Sequence, residues 1–190
     1  MLLWREKIPE DWLAKVRGDL PSVLVDHAHL ERKAATTAIN LEKYVELYES
    51  VSELNAIAIE ELQHFELVLQ LLRERGIKFT TPQKSIWITG MMHAVRKGRR
   101  EQVIDHLVVC ALIEGRSCEK FQILSREIRD LDPKLAEFYG SLVESEGNHY
   151  ATYLIMARHI DEEETGRRLD YFLDLDAELI VKPNPHAMLH

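Results

Sequence analysis

Apolar residues recur at three- to four-residue spacing along nearly the whole chain, and strand-like alternation is absent. Because that spacing is typical of amphipathic helices, the pattern predicts an all-α protein. Proline, glycine and capping residues interrupt it at regular places. The predicted helices run from Pro9 to near Gly18, from Pro21 to about Tyr48, from a capping box at Ser50 to about Gly76, over about 85–97, from Gly98 to Ile128, from Pro133 to about His159, and briefly from Asp161.

Four of these helices are long, and they form two hairpins over residues 21–76 and 99–159. A crossover of about twenty residues joins the hairpins. Two antiparallel hairpins with one long crossover are typical of a ferritin-like four-helix bundle. We therefore predict a single domain over residues 1–190, with short extra helices at both ends.

Two Glu-x-x-His motifs lie on the second helix of each predicted hairpin. They are Glu61-Leu62-Gln63-His64 and Glu146-Gly147-Asn148-His149. Positions i and i+3 share one face of a helix, so each pair can hold one metal ion. A single motif of this kind is weak evidence, and two at matching places are much stronger.

Each motif has a carboxylate at the same depth in the preceding helix. Glu31 and Glu61 are centred on residue 46, close to the predicted break, and Glu114 and Glu146 are centred on residue 130, inside the second turn. The spacing predicts six ligands around two metal ions, the pattern of di-iron and di-manganese carboxylate proteins. The alternative is a set of structural salt bridges. It is weakened because no Lys or Arg in these apolar stripes looks buried.

Charge is distributed unevenly. The net charge is −8, but residues 71–100 contain eight basic residues and one acid, which makes that segment +7 and the remainder −15. A basic patch of this kind favours a nucleic-acid partner over an ordinary solvated face. The candidate RNA contacts are Arg73, Arg75, Lys78, Lys84, Arg96, Lys97, Arg99 and Arg100.

The remaining composition limits the setting of the protein. No apolar run approaches the roughly 20 residues needed to span a bilayer, so we expect no membrane partner. The amino-terminal residues do not read as a signal peptide. Two cysteines, Cys110 and Cys118, do not make a disulfide framework. A cytoplasmic protein fits these features.

Three segments resemble the family of tRNA hydroxylases that act on 2-methylthio-N6-isopentenyladenosine. They are LLWREKIPEDWL at the start, LVDHAHLERKAA around Glu31 and ELQHFELVLQLLRERG from Glu61. The resemblance covers nearly the whole chain. It implies O2-dependent hydroxylation of the isopentenyl group beside the anticodon, two iron ions, and an electron donor such as a ferredoxin or reductase. By resemblance, Glu31, Glu61, His64, Glu114, Glu146 and His149 are both metal ligands and the catalytic centre.

Two alternative functions remain at this point. One is iron storage or ferroxidase activity, and the other is a di-iron oxidase with a small substrate. A storage protein forms a large shell, whereas we expect a monomer or small oligomer. Gel filtration separates the two.

Overall fold

The computed structural model describes residues 4–190, and within that range every regular element is helical. Leu2 and Leu3, at the start of the resembling segment LLWREKIPEDWL, lie outside the described residues. The seven α-helices are α1 (Glu10–Gly18), α2 (Leu20–Leu41), α3 (Val51–Glu74), α4 (Ile86–His93), α5 (Arg99–Glu127), α6 (Pro133–Ile160) and α7 (Glu162–Ile180). A 3-10 helix, Val45–Ser50, connects α2 to α3. None of these helices is long and apolar enough to cross a membrane.

The chain divides into two compact units. The first unit comprises Glu10–Ser85 and Pro183–His190. Its main feature is the hairpin of α2 and α3, with α1 packed on α2. The carboxyl-terminal segment is tied to this hairpin, because the Leu189 N–H donates to Asp26 (2.8 Å) and the Trp12 indole N–H donates to the Met188 carbonyl (3.0 Å).

Helix α2 ends at Leu41, several residues before the predicted end at about Tyr48. Leu41 and Leu47 are both buried. In one continuous helix these two leucines, six positions apart, would point in directions about 120° apart around the helix axis. The chain instead turns at residues 42–44 and continues as the 3-10 helix, which allows both leucines to reach the core.

The ends of α3 depart from the prediction at one side and agree with it at the other. The prediction of a capping box at Ser50 is wrong, because Ser50 has φ −108° and ψ 12° and its side chain makes no capping hydrogen bond. An N-cap residue needs extended backbone to reach the first turn, and the preceding 3-10 helix prevents this. At the other end Gly76 has φ +65°, and the Ile77 N–H donates to the Leu72 carbonyl, a glycine-dependent stop.

The second unit comprises Ile86–Lys182 and the segment that ends at Pro9. Helices α5 and α6 form its hairpin, and α7 packs on both. The predicted cap of α6 is confirmed, since the Asp132 carboxylate accepts from the Leu135 N–H (2.9 Å) and Pro133 lies in the first turn. A cap of this type contributes about 1 kcal/mol. Asp161 caps α7 in the same way, but α7 has 19 residues and is not the short helix that we predicted.

Helix α4 stops at His93 rather than continuing to about residue 97. The Arg96 backbone N–H and guanidinium both donate to the buried carboxylate of Asp105. Arg168 donates to the same carboxylate (2.7 and 3.0 Å). These hydrogen bonds draw the chain out of the helical path before α5 begins.

Two buried basic residues lie on α5, outside the apolar stripe that surrounds Glu114. Arg116 and Lys120 are almost completely buried. Arg116 forms an ion pair with Asp176 of α7, which also accepts from the Trp87 indole N–H (2.9 Å). Neither Arg116 nor Lys120 has the i, i+3 or i, i+4 spacing from Glu114 that places side chains on one helix face.

Candidate metal centre

The first unit brings three of the six predicted ligands together. Glu31 lies on α2, and Glu61 and His64 lie one turn apart on α3. One oxygen or nitrogen atom from each of the three lies within 4.8 Å of the others, and all three residues are buried. The Nδ1 atom of His64 is 3.6 Å from Oε2 of Glu31 and 3.8 Å from Oε2 of Glu61.

The charges of this group determine its protonation. Burial opposes ionisation of Glu31, but the nearby His27 and hydrogen bonds with Glu61, His27 and His64 lower its pKa below the ordinary value. Burial would lower the pKa of His64, but hydrogen bonds and charge from Glu31 and Glu61 raise it to about 10. The two close carboxylates therefore stabilise a positive charge at this position, and a bound metal ion can supply that charge.

The second unit holds the other three ligands in the same arrangement. Glu114 comes from α5, and Glu146 and His149 come from α6. Their ligand atoms also lie within 4.8 Å of one another, and all three residues are buried. Cys110, one turn before Glu114, is buried beside it, and burial together with the Glu114 charge raises the pKa of its thiol.

Each triad fits a metal ion through the chemistry of its donors. Two carboxylates and one imidazole are the donor set of one half of a di-iron or di-manganese carboxylate site. Isolated carboxylates are costly to bury, so a bound cation offsets a penalty that the fold otherwise carries. The residues present therefore suit iron.

His27 is a neighbour of the first triad that was not among the predicted site residues. It lies four residues before Glu31 on the same face of α2, and its Nε2 atom contacts Oε1 of Glu31. His27 is 1% exposed. The i, i+4 spacing of a histidine and a ligand carboxylate was the available signal, because such pairs meet on a helix surface.

The basic residues of segment 71–100 differ in their contacts and in their exposure. Some are engaged within the protein: Arg73 pairs with Glu66 (2.9 Å), Arg96 with Asp105 and Glu164 (2.8 and 2.6 Å), and Arg100 with Asp161 (3.2 Å). The Arg75 guanidinium donates to the Leu71 carbonyl (3.4 Å). Lys78, Lys84, Lys97 and Arg99 are exposed. The charge of Arg96 is thus balanced within the protein by Asp105 and Glu164, which leaves it less suited to bind a phosphate.

The helical hairpins and the two Glu/Glu/His triads are those of a ferritin-like, all-α carboxylate protein, as the sequence predicted. A solved structure supports this class: the chain matches "Protein 43 with aldehyde deformylating oxygenase activity from Synechococcus" with a TM-score of 0.88 and 26% identity, over 100% of this chain and 96% of that one. Residues 2–190 match the model of the family described as tRNA-(MS[2]IO[6]A)-hydroxylase (MiaE), and the chain belongs to that family.

Two curated relatives carry the same kind of name. A protein of Pseudomonas putida, named tRNA 2-(methylsulfanyl)-N(6)-isopentenyladenosine(37) hydroxylase, is 34% identical over 184 residues, which span 96% of this chain and 88% of the relative. A Salmonella typhimurium protein of the same name is 29% identical over 232 aligned positions, covering 96% and 85%. The resemblance expected from the sequence is thereby confirmed, and the chain belongs to an enzyme family of the oxidoreductase class.

Proposed function

We propose that this chain hydroxylates the isopentenyl side chain of 2-methylthio-N6-isopentenyladenosine, next to the anticodon of tRNA, with O2 as co-substrate. The observation that carries the proposal is the family match over residues 2–190. The two buried triads supply the chemistry that such a reaction needs.

The two triads together hold two iron ions in this proposal. Glu31, Glu61 and His64 serve one half, and Glu114, Glu146 and His149 serve the other. Equal depth of each Glu with its Glu-x-x-His partner, read from the sequence, supports a metal position in each triad. Bound as ferrous ions, the metals would supply electrons to O2 so that an unactivated C–H bond can be oxidised.

In this proposal the protein's own residues bind the metals, orient the reacting groups and limit the access of water. The carboxylates and imidazoles would hold the metals, and the burial of these side chains would limit the access of bulk water to the site. Each turnover needs two further electrons from outside, so we propose a ferredoxin- or reductase-type donor. A cytoplasmic location follows from a tRNA substrate.

Recognition of tRNA is proposed to rest on exposed cations of segment 71–100. Lys78, Lys84, Lys97 and Arg99 offer charge for backbone phosphates. Arg73, Arg75 and Arg100 belong to the same segment of the sequence, and some of their donors are already engaged. The target base lies in a single-stranded loop, which is the accessible kind of RNA target.

The test is mass spectrometry of tRNA from cells that lack the gene and carry it back as variants. Wild type should restore a nucleoside heavier by one oxygen atom. Glu146→Ala should not, because it removes a ligand of the second triad. Glu137→Ala, an exposed carboxylate on the same helix, is the matched control and should restore it. Full restoration by Glu146→Ala would contradict the proposed site.

We also propose a monomer or small oligomer rather than a storage shell. Gel filtration of the iron-loaded protein should give a particle near 22.1 kDa or a small multiple of it. A large closed shell would favour iron storage instead.

A further inference from the structure

The loop that follows α3 exposes an aromatic side chain between two lysines. Phe79 is 41% exposed, and Lys78 and Lys84 of the same loop are exposed as well. The loop begins at Gly76, whose left-handed backbone ends α3. An aromatic ring beside exposed cations is the pairing that single-stranded nucleic acid binds.

The ring of Phe79 is fixed by contacts with two aromatic side chains of the same unit, His29 and Phe65. The Phe79 ring stacks on His29 of α2, with centroids 4.3 Å apart and planes 24° apart, and Phe65 of α3 packs at 5.9 Å. His29 is itself fixed, because its Nε2 donates to the Thr80 carbonyl (2.7 Å) and its Nδ1 accepts from Arg32 (3.2 Å). A ring fixed in this way loses little conformational freedom when a ligand stacks on it.

A cleft of about 460 Å³ lies beside the same loop. Lys78, Thr80, Thr81, Pro82 and Gln83 line one side, and the start of α2 and residues 185–188 line the others. The volume falls in the range of pockets for small organic ligands, roughly 300–1,000 Å³, and is large enough for a nucleotide.

The charges in the cleft favour a base over a phosphate. Asp19 and Asp26 belong to its lining, where these two carboxylates outnumber the one lysine, Lys78, and repel anions. Both are already oriented, since Asp19 accepts from the Ser22 N–H (3.1 Å) and Asp26 from the Leu189 N–H (2.8 Å). Carboxylates can accept from amino groups of nucleobases. The lysines of the loop therefore suit the phosphates, and the cleft suits the base.

We propose that this loop is a stacking platform for unpaired nucleotides that flank the target base in the anticodon loop. One flanking base stacks on Phe79, Lys78 and Lys84 contact the adjoining phosphates, and the next nucleotide enters the cleft. The inference rests on the proposed function, because it takes tRNA as the substrate.

The experiment measures binding of the iron-loaded protein to an anticodon stem–loop RNA that carries the prenylated, methylthiolated adenosine. Phe79→Ala should weaken binding roughly ten-fold, the effect of removing one base–aromatic stack. Phe79→Trp should bind like wild type. Phe79→Leu keeps apolar packing against His29 and Phe65 but offers no ring, so it should weaken binding while the melting temperature stays close to that of wild type.

Salt dependence separates stacking from charge. Phe79→Ala should leave the slope of log K against log salt unchanged. Lys78→Ala with Lys84→Ala should reduce the slope by about 0.7 for each phosphate of single-stranded RNA that is no longer neutralised. Tyr48→Ala removes another exposed aromatic of the same unit and should bind like wild type.

Wild-type affinity in both Phe79→Ala and Phe79→Leu would overturn the platform. Wild-type hydroxylation of tRNA in cells is measured in parallel, since its absence would instead overturn the proposed function.

Discussion

The imidazole of His27 contacts the carboxylate of Glu31 through Nε2 and Oε1, one helical turn apart on α2. The other oxygen, Oε2, lies 3.6 Å from Nδ1 of His64. The two oxygens of Glu31 therefore have different roles. Oε1 contacts His27, and Oε2 remains available to bind a metal. The corresponding position on α5, four residues before Glu114, is Cys110. A thiol is a much weaker donor than an imidazole, so the two triads are chemically unequal.

His27→Leu should lower the affinity for one of two iron ions by about 10- to 100-fold, the usual effect of removing a partner that orients a metal ligand. Titration of the metal-free protein with ferrous iron against a chelator measures this. His27→Gln should restore much of the affinity, because its amide can also donate to Glu31. Cys110→Ala is the matched control in the other triad and should change affinity less. Equal affinities in wild type and His27→Leu would show that His27 does not orient Glu31.

Glu114→Ala should lose a substantial part of the bound iron. It removes one of two carboxylates in the second triad, and the remaining Glu146 and His149 provide too few donors for a stable site. Iron content per chain and the ferric absorption spectrum report the loss. Glu101→Ala, which lies on the same helix and is exposed, should keep the wild-type iron content. Unchanged iron in Glu114→Ala would remove Glu114 from the ligand set.

Charge reversal at Lys97 and Arg99 should weaken tRNA binding. It should also reduce the slope of log K against log salt by about 0.7–0.9 for each phosphate that these side chains neutralise in the wild type. Filter binding at several salt concentrations measures both quantities. Turnover of the free modified nucleoside with peroxide should survive, because the metal ligands are untouched. If binding and nucleoside turnover fell together, the charges would act on the fold or on the metal centre rather than on tRNA.

Arg96→Glu should behave differently from these two variants. Its guanidinium binds Asp105 and Glu164, so reversal places three carboxylates together around a buried position. The melting temperature should fall, in contrast to Lys97→Glu. A wild-type melting temperature for Arg96→Glu would show that the hydrogen bonds to Asp105 contribute little to stability.

Asp105 should make stability depend on pH in the acid range. Burial opposes its ionisation, but hydrogen bonds from Arg96 and Arg168 lower its pKa below the ordinary value. A carboxyl whose pKa is lower in the folded state stabilises the protein above its unfolded pKa, near 4, and this contribution disappears as pH falls through the folded pKa.

Asp105→Asn should thus destabilise the protein most at neutral pH, at the low end of the roughly 3–5 kcal/mol seen when a buried ion pair is broken. The difference from wild type should shrink below about pH 4. Urea unfolding between pH 3 and 7 measures both. Asp170→Asn removes an exposed pair with Arg5 and should stay within about 0.5 kcal/mol of wild type. A difference for Asp105→Asn that does not vary with pH would contradict the assignment.

Local spacing carried most of what could be predicted from the sequence alone. The i, i+3 pairs Glu61/His64 and Glu146/His149 share a helix face through backbone geometry, whatever packs against them. Equal distances from a hairpin turn placed Glu31 and Glu114 level with those pairs. Asp132 and Gly76 marked helix ends correctly, because capping involves neighbouring residues only.

Interactions between distant residues were decided by the tertiary structure. The end of α2 at Leu41 carries no glycine or proline and follows from the burial of Leu47. The pair of Arg116 and Asp176 joins residues 60 positions apart, and the fixed ring of Phe79 depends on His29, 50 positions earlier. The charge of a side chain is written in the sequence, but its partner is selected by packing. The eight basic residues could therefore be counted from the sequence. The pairing of Arg96 with Asp105 could not be predicted, because it depends on how α4, α5 and α7 pack together.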